Sequence, residues 1–79
     1  MTESEILKEL IDLIKELLPD VDTSNITPET LLYNDMGLNS LNVILIAVGI
    51  EDHFNITVEE DFKAQTVGDV CRYISGKKI

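Results

Sequence analysis

The chain has 79 residues and a formal net charge of −9, with 15 acidic against 6 basic side chains and one cysteine. This length predicts a single domain over residues 1–79, with a small core rather than a deep active-site cavity. One cysteine excludes an internal disulfide and a cysteine-cluster metal site. The acidic surface disfavours nucleic acid and anionic membranes as partners.

The amino-terminal residues are acidic and polar, and they lack the basic region and the apolar core of a signal peptide. No apolar run reaches the roughly 20 residues that a membrane span needs. We therefore expect a cytoplasmic monomer without a membrane span. Lys and Arg are absent from Glu16 to Phe62, a depletion that favours partners with basic patches over a role in solubility alone.

Residues 3–18 have the pattern of an amphipathic helix, in which apolar side chains recur at helical spacing and charged side chains fill the other face. Thr2 and Glu5 have the spacing of a capping box at its start. Pro19 ends the helix, because the residue before a proline is displaced from helical backbone angles.

The long connection over residues 19–39 contains the sequence TPET at 27–30. Its threonine is expected to cap a short helical turn, with proline at the first position. We expect Leu31 and Leu32 to fasten this loop to the core, because loops of this length are usually functional or tied down. Gly37 supplies a turn just before the next helix.

Residues 40–54 predict the second helix, with Asn39 as its N-cap and Asn55 as a left-handed residue at its end. Residues 59–63 allow one short acidic helical turn. A last helix follows in the sequence TVGDVCRYI at 66–74, and we expect the chain to fray after it.

The last helix begins with Thr66 and Asp69 at capping-box spacing. Its apolar stripe comprises Val67, Val70, Cys71 and Ile74. No segment has the alternation typical of a strand. The predicted fold is therefore all-α: a small four-helix bundle of three main helices and one short helix, with a long loop between helices 1 and 2.

The second helix carries two apolar stripes. At about 100° per residue, one stripe comprises Val43, Ile46, Ala47, Ile50 and Phe54. The other comprises Leu41, Ile44, Leu45 and Val48. A surface helix needs one apolar stripe, so either this helix is covered on both sides or the second stripe is an open partner surface. We favour the open surface, because one side of each helix in so small a domain should face water.

Ser40 lies at the start of this helix, in the sequence NDMGLNSLNV at 34–43. A serine nucleophile needs a general base within hydrogen-bond reach, and the single histidine, His53, lies about 20 Å farther along the same helix. We therefore expect no catalytic residue. The spacing of the acidic residues also does not match the calcium-binding loop of an EF-hand, so no metal site is predicted. A helix start suits a phosphate ester, although most serines there only satisfy the backbone.

These motifs together resemble the acyl carrier proteins, small four-helix domains that bear phosphopantetheine. The resemblance covers nearly the whole chain: the leading amphipathic helix, ITPETLL at 26–32, NDMGLNSL at 34–41, IEDHFNITVEEDF at 50–62 and TVGDVCRYI at 66–74. The Gly-x-x-Ser-Leu core is weak by itself. Its position after the long loop, the acidic bias and the last helix make the resemblance specific.

The resemblance implies that Ser40, flanked by Asn39 and Leu41, carries 4′-phosphopantetheine, which a phosphopantetheinyl transferase attaches from coenzyme A. The thiol of this arm would hold an acyl group as a thioester, so the chain would be a carrier and not an enzyme. Its partners would be acyl-transfer, ligase or synthase enzymes with basic or mixed apolar docking patches. On the partner surface the resemblance places Asp35, Asn42, Leu45, Val48, Glu51 and Asp52. Around the acyl chain it places Leu32, Ile46, Ala47, Ile50 and Phe54, although plain core packing explains any one of these better.

Three residues depart from the family's pattern. Asn39 stands where an aspartate usually precedes the serine, Asn42 where an acid is common, and Leu45 where a carboxylate often faces the partner. Each removes negative charge near Ser40, so apolar contacts replace part of an electrostatic docking surface, and we expect a specialised carrier. The alternative is an unmodified carrier-like adaptor that binds a partner through the apolar face of the second helix. The cargo stays open among fatty acyl, polyketide, aminoacyl and hydroxyacyl groups.

Overall fold

The computed structural model of the chain describes residues 2–59 and 61–78. These residues form three α-helices and no β-strand: α1 (Glu3–Leu17), α2 (Ser40–Phe54) and α3 (Val67–Lys78). α1 packs against both of the other helices. None of the helices in the described part combines the length and the apolarity needed to cross a membrane. The predicted all-α class is confirmed.

The start of α1 is fixed by the capping box that the sequence predicts. The N–H of Glu5 donates to the hydroxyl of Thr2 over 3.2 Å, and the N–H of Thr2 donates to the Glu5 carboxylate over 2.9 Å. This backbone hydrogen bond lowers the pKa of Glu5 below its usual value. The helix ends at Leu17, one residue earlier than predicted, with Leu18 as its C-cap.

One cluster of buried apolar side chains joins the three helices and the long loop. Its members are Ile6, Leu10, Leu13, Ile14, Leu32, Leu38, Ile46, Ile50, Phe54, Val67, Val70, Cys71 and Ile74. The stripe predicted for the last helix is therefore buried. Burial raises the pKa of the Cys71 thiol to about 11, so Cys71 acts as a small apolar residue and not as a nucleophile.

The predicted short fourth helix at 59–63 is not confirmed. Glu60 lies outside the described residues. Of its neighbours, Phe62 donates its N–H to the carbonyl of Glu59 over 3.1 Å, which closes a single turn. By contrast, the turn predicted at 27–30 is present, closed by a 3.0 Å hydrogen bond from the N–H of Thr30 to the carbonyl of Thr27. Segments this short gain too few hydrogen bonds to offset the cost of helix nucleation.

The last helix, α3, is longer than predicted. It continues to Lys78, so the prediction of fraying after residue 74 is wrong; Ile79, which that prediction also covers, lies outside the described residues. The ammonium group of Lys77 pairs with the carboxylate of Glu59 and lies 5.5 Å from the centroid of the Tyr73 ring. The ion pair links the final turn of α3 to a segment distant in sequence, whereas Tyr73 belongs to α3 itself.

The long loop is fastened to the start of α3 by backbone hydrogen bonds, and we call its residues 28–32 the strap. The N–H of Leu32 donates to the carbonyl of Gln65 over 3.0 Å, and an isolated antiparallel bridge pairs Leu31 with Thr66. The N–H groups of Val67 and Gly68, in the first turn of α3, donate to strap carbonyls over 2.9 and 2.8 Å. The predicted attachment of this loop is confirmed, with Leu32 buried in the core.

Gly68 has no room for a side chain. A Cβ atom there would lie 2.8 Å from the carbonyl oxygen of Pro28, whereas a Cβ at Gly76 in the same helix would meet nothing within 4 Å. We therefore expect Gly68→Ala to lower the free energy of unfolding by about 1–3 kcal/mol. Gly76→Ala is the matched control and should raise it by up to about 1 kcal/mol. Urea denaturation measures both, and equal effects would contradict the steric explanation.

Asp69 makes the cap of α3 dependent on pH. Its carboxylate accepts the N–H groups of Gln65 and Thr66 over 3.0 and 3.1 Å, and these bonds hold its pKa below the usual 3.8. Because the pKa of Asp69 is lower in the folded state than its usual value of 3.8, the ionised carboxylate stabilises the fold above pH 3.8. This stabilisation is lost as the pH falls through the lower pKa of the folded state.

We expect Asp69→Asn to reduce stability at neutral pH and to differ much less from the wild type in strong acid. Urea denaturation at neutral pH and at about pH 2.5, below the unfolded pKa, measures the difference. Asp61→Asn, at an exposed position, serves as the control for loss of charge alone. A destabilisation by Asp69→Asn that is the same at both pH values would show that the charge of Asp69 does not contribute.

Candidate functional site

The loop that leads to Ser40 is anchored in the core. Leu38, two residues before the serine, is buried, and its N–H donates to the carbonyl of Leu32 over 3.2 Å. Gly37 has a φ of 69°, in the left-handed region that glycine adopts without a steric penalty. The predicted turn is present, and it leads into α2 with Ser40 as the exposed first residue of that helix.

Two asparagines cap α2 reciprocally. The side-chain oxygen of Asn39 accepts the N–H of Asn42 over 2.8 Å, and the side-chain oxygen of Asn42 accepts the N–H of Asn39 over 3.2 Å. The predicted N-cap is confirmed. The contribution of Asn42 was missed because this position of a capping box usually holds Glu or Gln; the three-residue spacing was the available signal. The Ser40 hydroxyl takes no part in the cap and has no hydrogen-bond partner within the described ranges.

The start of α2 also differs in charge from the starts of the other helices. Glu3 and Glu5 lie in the first turn of α1 and Asp69 in that of α3, whereas the first turn of α2 contains no acidic side chain. The N–H groups of Ser40 and Leu41 have no protein acceptor in the part of the chain that the structure describes. The positive end of the α2 dipole is therefore uncompensated beside Ser40 and favours an external anion.

The outer face of α2 is open to solvent, as the stripe pattern predicts. Its four large apolar side chains are between 42% and 72% exposed. We call them the apolar patch: Leu41, Ile44, Leu45 and Val48. Tyr33, in the loop before the helix, is also 48% exposed and was not identified as a surface residue from the sequence, because its position in an irregular loop gives no periodic signal.

The inner face of α2 packs into the core. Of the residues predicted to surround an acyl chain, Leu32, Ile46, Ile50 and Phe54 belong to the buried cluster, and Ala47 is half-buried. The structure therefore brings Leu32, Ile46, Ile50 and Phe54 together on the side of the helix opposite the apolar patch. Their contact with an acyl chain stays a prediction.

Two of the acids predicted to face partners also have contacts within the chain. The carboxylate of Asp35 accepts the N–H of Leu31 over 2.8 Å, and the carboxylate of Glu51 accepts the N–H of Val58 over 2.9 Å. Asp52 is exposed. The docking roles of these acids and of Asn42 stay predictions, and at least one oxygen of Asp35 and of Glu51 shapes a loop.

Among residues 2–59 and 61–78, no catalytic base lies within hydrogen-bond reach of Ser40. His53 lies at the other end of α2, about 20 Å away along the helix axis, and its Nε2 is 2.9 Å from the carboxylate of Glu9 on α1. Among the described residues, no group of three or more His, Cys, Asp or Glu side chains is arranged to hold a metal ion. What the site offers is an exposed hydroxyl beside an uncompensated helix dipole and an apolar surface.

Residues 8–74 match the family defined by the phosphopantetheine attachment site. Over 79 residues the chain is 39% identical to an acyl carrier protein of Exiguobacterium sp., an alignment that covers 98% of this chain and 99% of that protein. The chain belongs to the acyl carrier protein family.

The chain is also 37% identical over 62 residues to an acyl carrier protein of Helicobacter pylori, covering 76% of this chain and 80% of that one. A meromycolate extension acyl carrier protein of Mycolicibacterium smegmatis is 35% identical over 75 residues, covering 92% of this chain and 75% of that protein.

Membership of this family establishes what the chain does. It is a carrier and not a catalyst, and it bears a covalently attached 4′-phosphopantetheine group. It serves acyl-transfer and synthase enzymes in fatty-acid or related acyl metabolism. The exposed hydroxyl at the start of α2 is consistent with a residue on which other enzymes act.

The asparagine capping box can be tested by stability. Asn39→Ala removes the oxygen that accepts the N–H of Asn42, and we expect the free energy of unfolding to fall by about 1 kcal/mol. Asn39→Asp keeps the acceptor and should retain stability. Asn25→Ala, at an exposed loop position, is the control and should change stability by less than about 0.5 kcal/mol. Urea denaturation measures all three variants, and an Asn39→Ala loss no larger than the control's would contradict the capping role.

Proposed function

We propose that Ser40 is the residue that carries 4′-phosphopantetheine, and that a phosphopantetheinyl transferase attaches it from coenzyme A. The observation that carries this proposal is the free, exposed hydroxyl at the first position of α2, in the sequence Gly-x-x-Ser-Leu. Because Asn39 and Asn42 satisfy each other's backbone N–H groups, modification of Ser40 breaks no hydrogen bond of the helix cap.

The residues around Ser40 fit the group. A phosphodiester on the serine oxygen would place negative charge at the start of a helix whose first turn contains no acid, where the dipole and the free N–H groups of Ser40 and Leu41 stabilise it. When bound, the arm supplies the thiol that holds an acyl group as a thioester.

The two faces of α2 support separate roles in carrying that group. We assign the inner side chains, Leu32, Ile46, Ala47, Ile50 and Phe54, to the space that the acyl chain would enter. The outer face, with Leu41, Leu45, Val48 and the exposed Asp52, would meet partner enzymes with basic or mixed apolar surfaces. The neutral residues Asn39, Asn42 and Leu45 favour a specialised carrier, acting as a single monomeric domain in polyketide or other dedicated acyl metabolism rather than with general synthesis enzymes alone.

Attachment at Ser40 is tested by incubating the purified protein with coenzyme A and a broad-specificity phosphopantetheinyl transferase. The Ser40 oxygen forms the new phosphodiester and loses its proton, while the nucleotide half of coenzyme A leaves. Mass spectrometry should show a gain of one arm on the wild type and none on Ser40→Ala. Ser4→Ala is the matched control, because Ser4 is also exposed and lies in the first turn of α1; it should gain the arm normally.

A gain that survives Ser40→Ala would assign the arm to another residue. No gain on the wild type, together with a partner that binds wild type and Ser40→Ala equally well, would favour the unmodified adaptor instead.

A further inference from the structure

Two neighbouring residues at the start of α2 are able to cap this helix. Asparagine and serine are both among the preferred N-cap residues, because each presents an oxygen to the free N–H groups of the first turn. In the structure Asn39 is the cap, and Ser40 is the first helical residue, with its hydroxyl unpartnered within the described ranges. If the helix began one residue later, Ser40 would become the cap, and its oxygen would accept an N–H of the new first turn, from Asn42 or Val43.

The position of the cap affects the reactivity of the serine. In attachment the Ser40 oxygen bonds to the phosphorus beside the pantetheine, the P–O–P link of coenzyme A breaks, the nucleotide half leaves and the hydroxyl proton is released. A serine oxygen that caps a helix uses a lone pair to accept a backbone N–H, and its side chain is held against the helix end. A capping serine is therefore less well placed to attack than a serine whose hydroxyl is free.

Asn42 favours the helix start that leaves the serine free. Its side-chain oxygen accepts the N–H of Asn39 over 3.2 Å, while the side-chain oxygen of Asn39 accepts the N–H of Asn42 over 2.8 Å. The N–H of Val43 donates to the carbonyl of Asn39 over 3.1 Å, which closes the first helical turn. Both side-chain bonds require a helix that begins at Ser40. The oxygen of Asn42 thus adds the free energy of one hydrogen bond to this start and none to the later one.

Building on the attachment at Ser40, we propose that Asn42 is a positioning residue for this reaction. By holding the N–H of Asn39 it keeps the cap on Asn39 and leaves the Ser40 hydroxyl available. Asn42 acts here through the cap of the free chain and not through contact with the transferase. Only the fraction of chains that carries the cap on Asn39 reacts, so kcat/KM falls in proportion to that fraction.

A thermodynamic cycle on the free chain tests the competition between the two caps. In the wild-type background Ser40→Ala removes a hydroxyl without a partner, so it should raise the unfolding equilibrium constant by less than about twofold. In the Asn39→Ala background Ser40 becomes the cap, and the same change should raise this constant about fivefold. Urea denaturation of the four chains measures both steps without a transferase.

The effect on attachment is measured as kcat/KM for transfer from coenzyme A by a broad-specificity phosphopantetheinyl transferase, with the full chain as substrate. Asn42→Ala should lower kcat/KM about threefold or more, because the loss of one hydrogen bond shifts the balance between the two helix starts by about that factor. Asn42→Gln is the conservative variant. It should stay within about twofold of the wild type, since glutamine at this position of a capping box also accepts the N–H of the cap residue.

Thr2→Ala separates positioning of the serine from a loss of stability alone. It removes the hydroxyl that accepts the N–H of Glu5 at the start of α1, so it weakens a cap of the same kind on another helix. We expect it to lower stability as Asn42→Ala does, and to leave kcat/KM within about twofold of the wild type. Circular dichroism of each variant checks that the helices are retained.

Equal effects of Ser40→Ala in the two backgrounds would overturn the proposal, because Ser40 would then not compete for the cap. The proposal also fails if Asn42→Gln reacts as slowly as Asn42→Ala, or if Thr2→Ala slows attachment as much as Asn42→Ala does. All of these results leave attachment at Ser40 intact, because the wild type takes the arm in each of them. A wild-type chain that takes no arm overturns both proposals together.

Discussion

A small set of backbone hydrogen bonds between the strap and the start of α3 determines where Ser40 lies. The carbonyls of the strap accept N–H groups from the first turn of α3, so the loop itself completes the cap of that helix. Gly68 permits the close approach because it lacks a side chain. With the strap fixed, Leu32 lies in the core. The turn at Gly37 then places Ser40 at the surface, at the start of α2.

The starts of the three helices differ in whether an acidic side chain compensates the helix dipole. α1 and α3 carry acids in their first turns, and those acids compensate the helix dipoles and hold backbone N–H groups. α2 is capped by two neutral asparagines, which satisfy the backbone and leave its dipole without a counter-charge. The helix that begins with the family's serine is thus the one whose first turn contains no acidic side chain, so an added phosphate would meet no repelling carboxylate there. Capping and modification do not compete, because different side chains perform them.

Local sequence signals predicted the parts of the fold that depend on neighbouring residues. The capping residues Thr2, Asn39 and Thr66 and the left-handed Asn55 were placed correctly, because each acts within one helical turn of its own position. The length of α3 was predicted wrongly: its last turn pairs with Glu59, a contact that the local sequence does not indicate. The short helix at 59–63 is not confirmed among the described residues, and a segment this short gains few hydrogen bonds against the cost of nucleation.

The sequence by itself determined the family, the three main helices, the serine at the start of the second and the two apolar stripes of that helix, because these follow from motif and periodicity. Only the tertiary structure decided between a covered and an open second stripe, and only it showed that Asp35 and Glu51 hold loop N–H groups. A helical period shows that two faces exist, whereas the packing of α1 against α2 selects the buried one. A carboxylate's partner is likewise chosen by how the loops fold back, which no local spacing encodes.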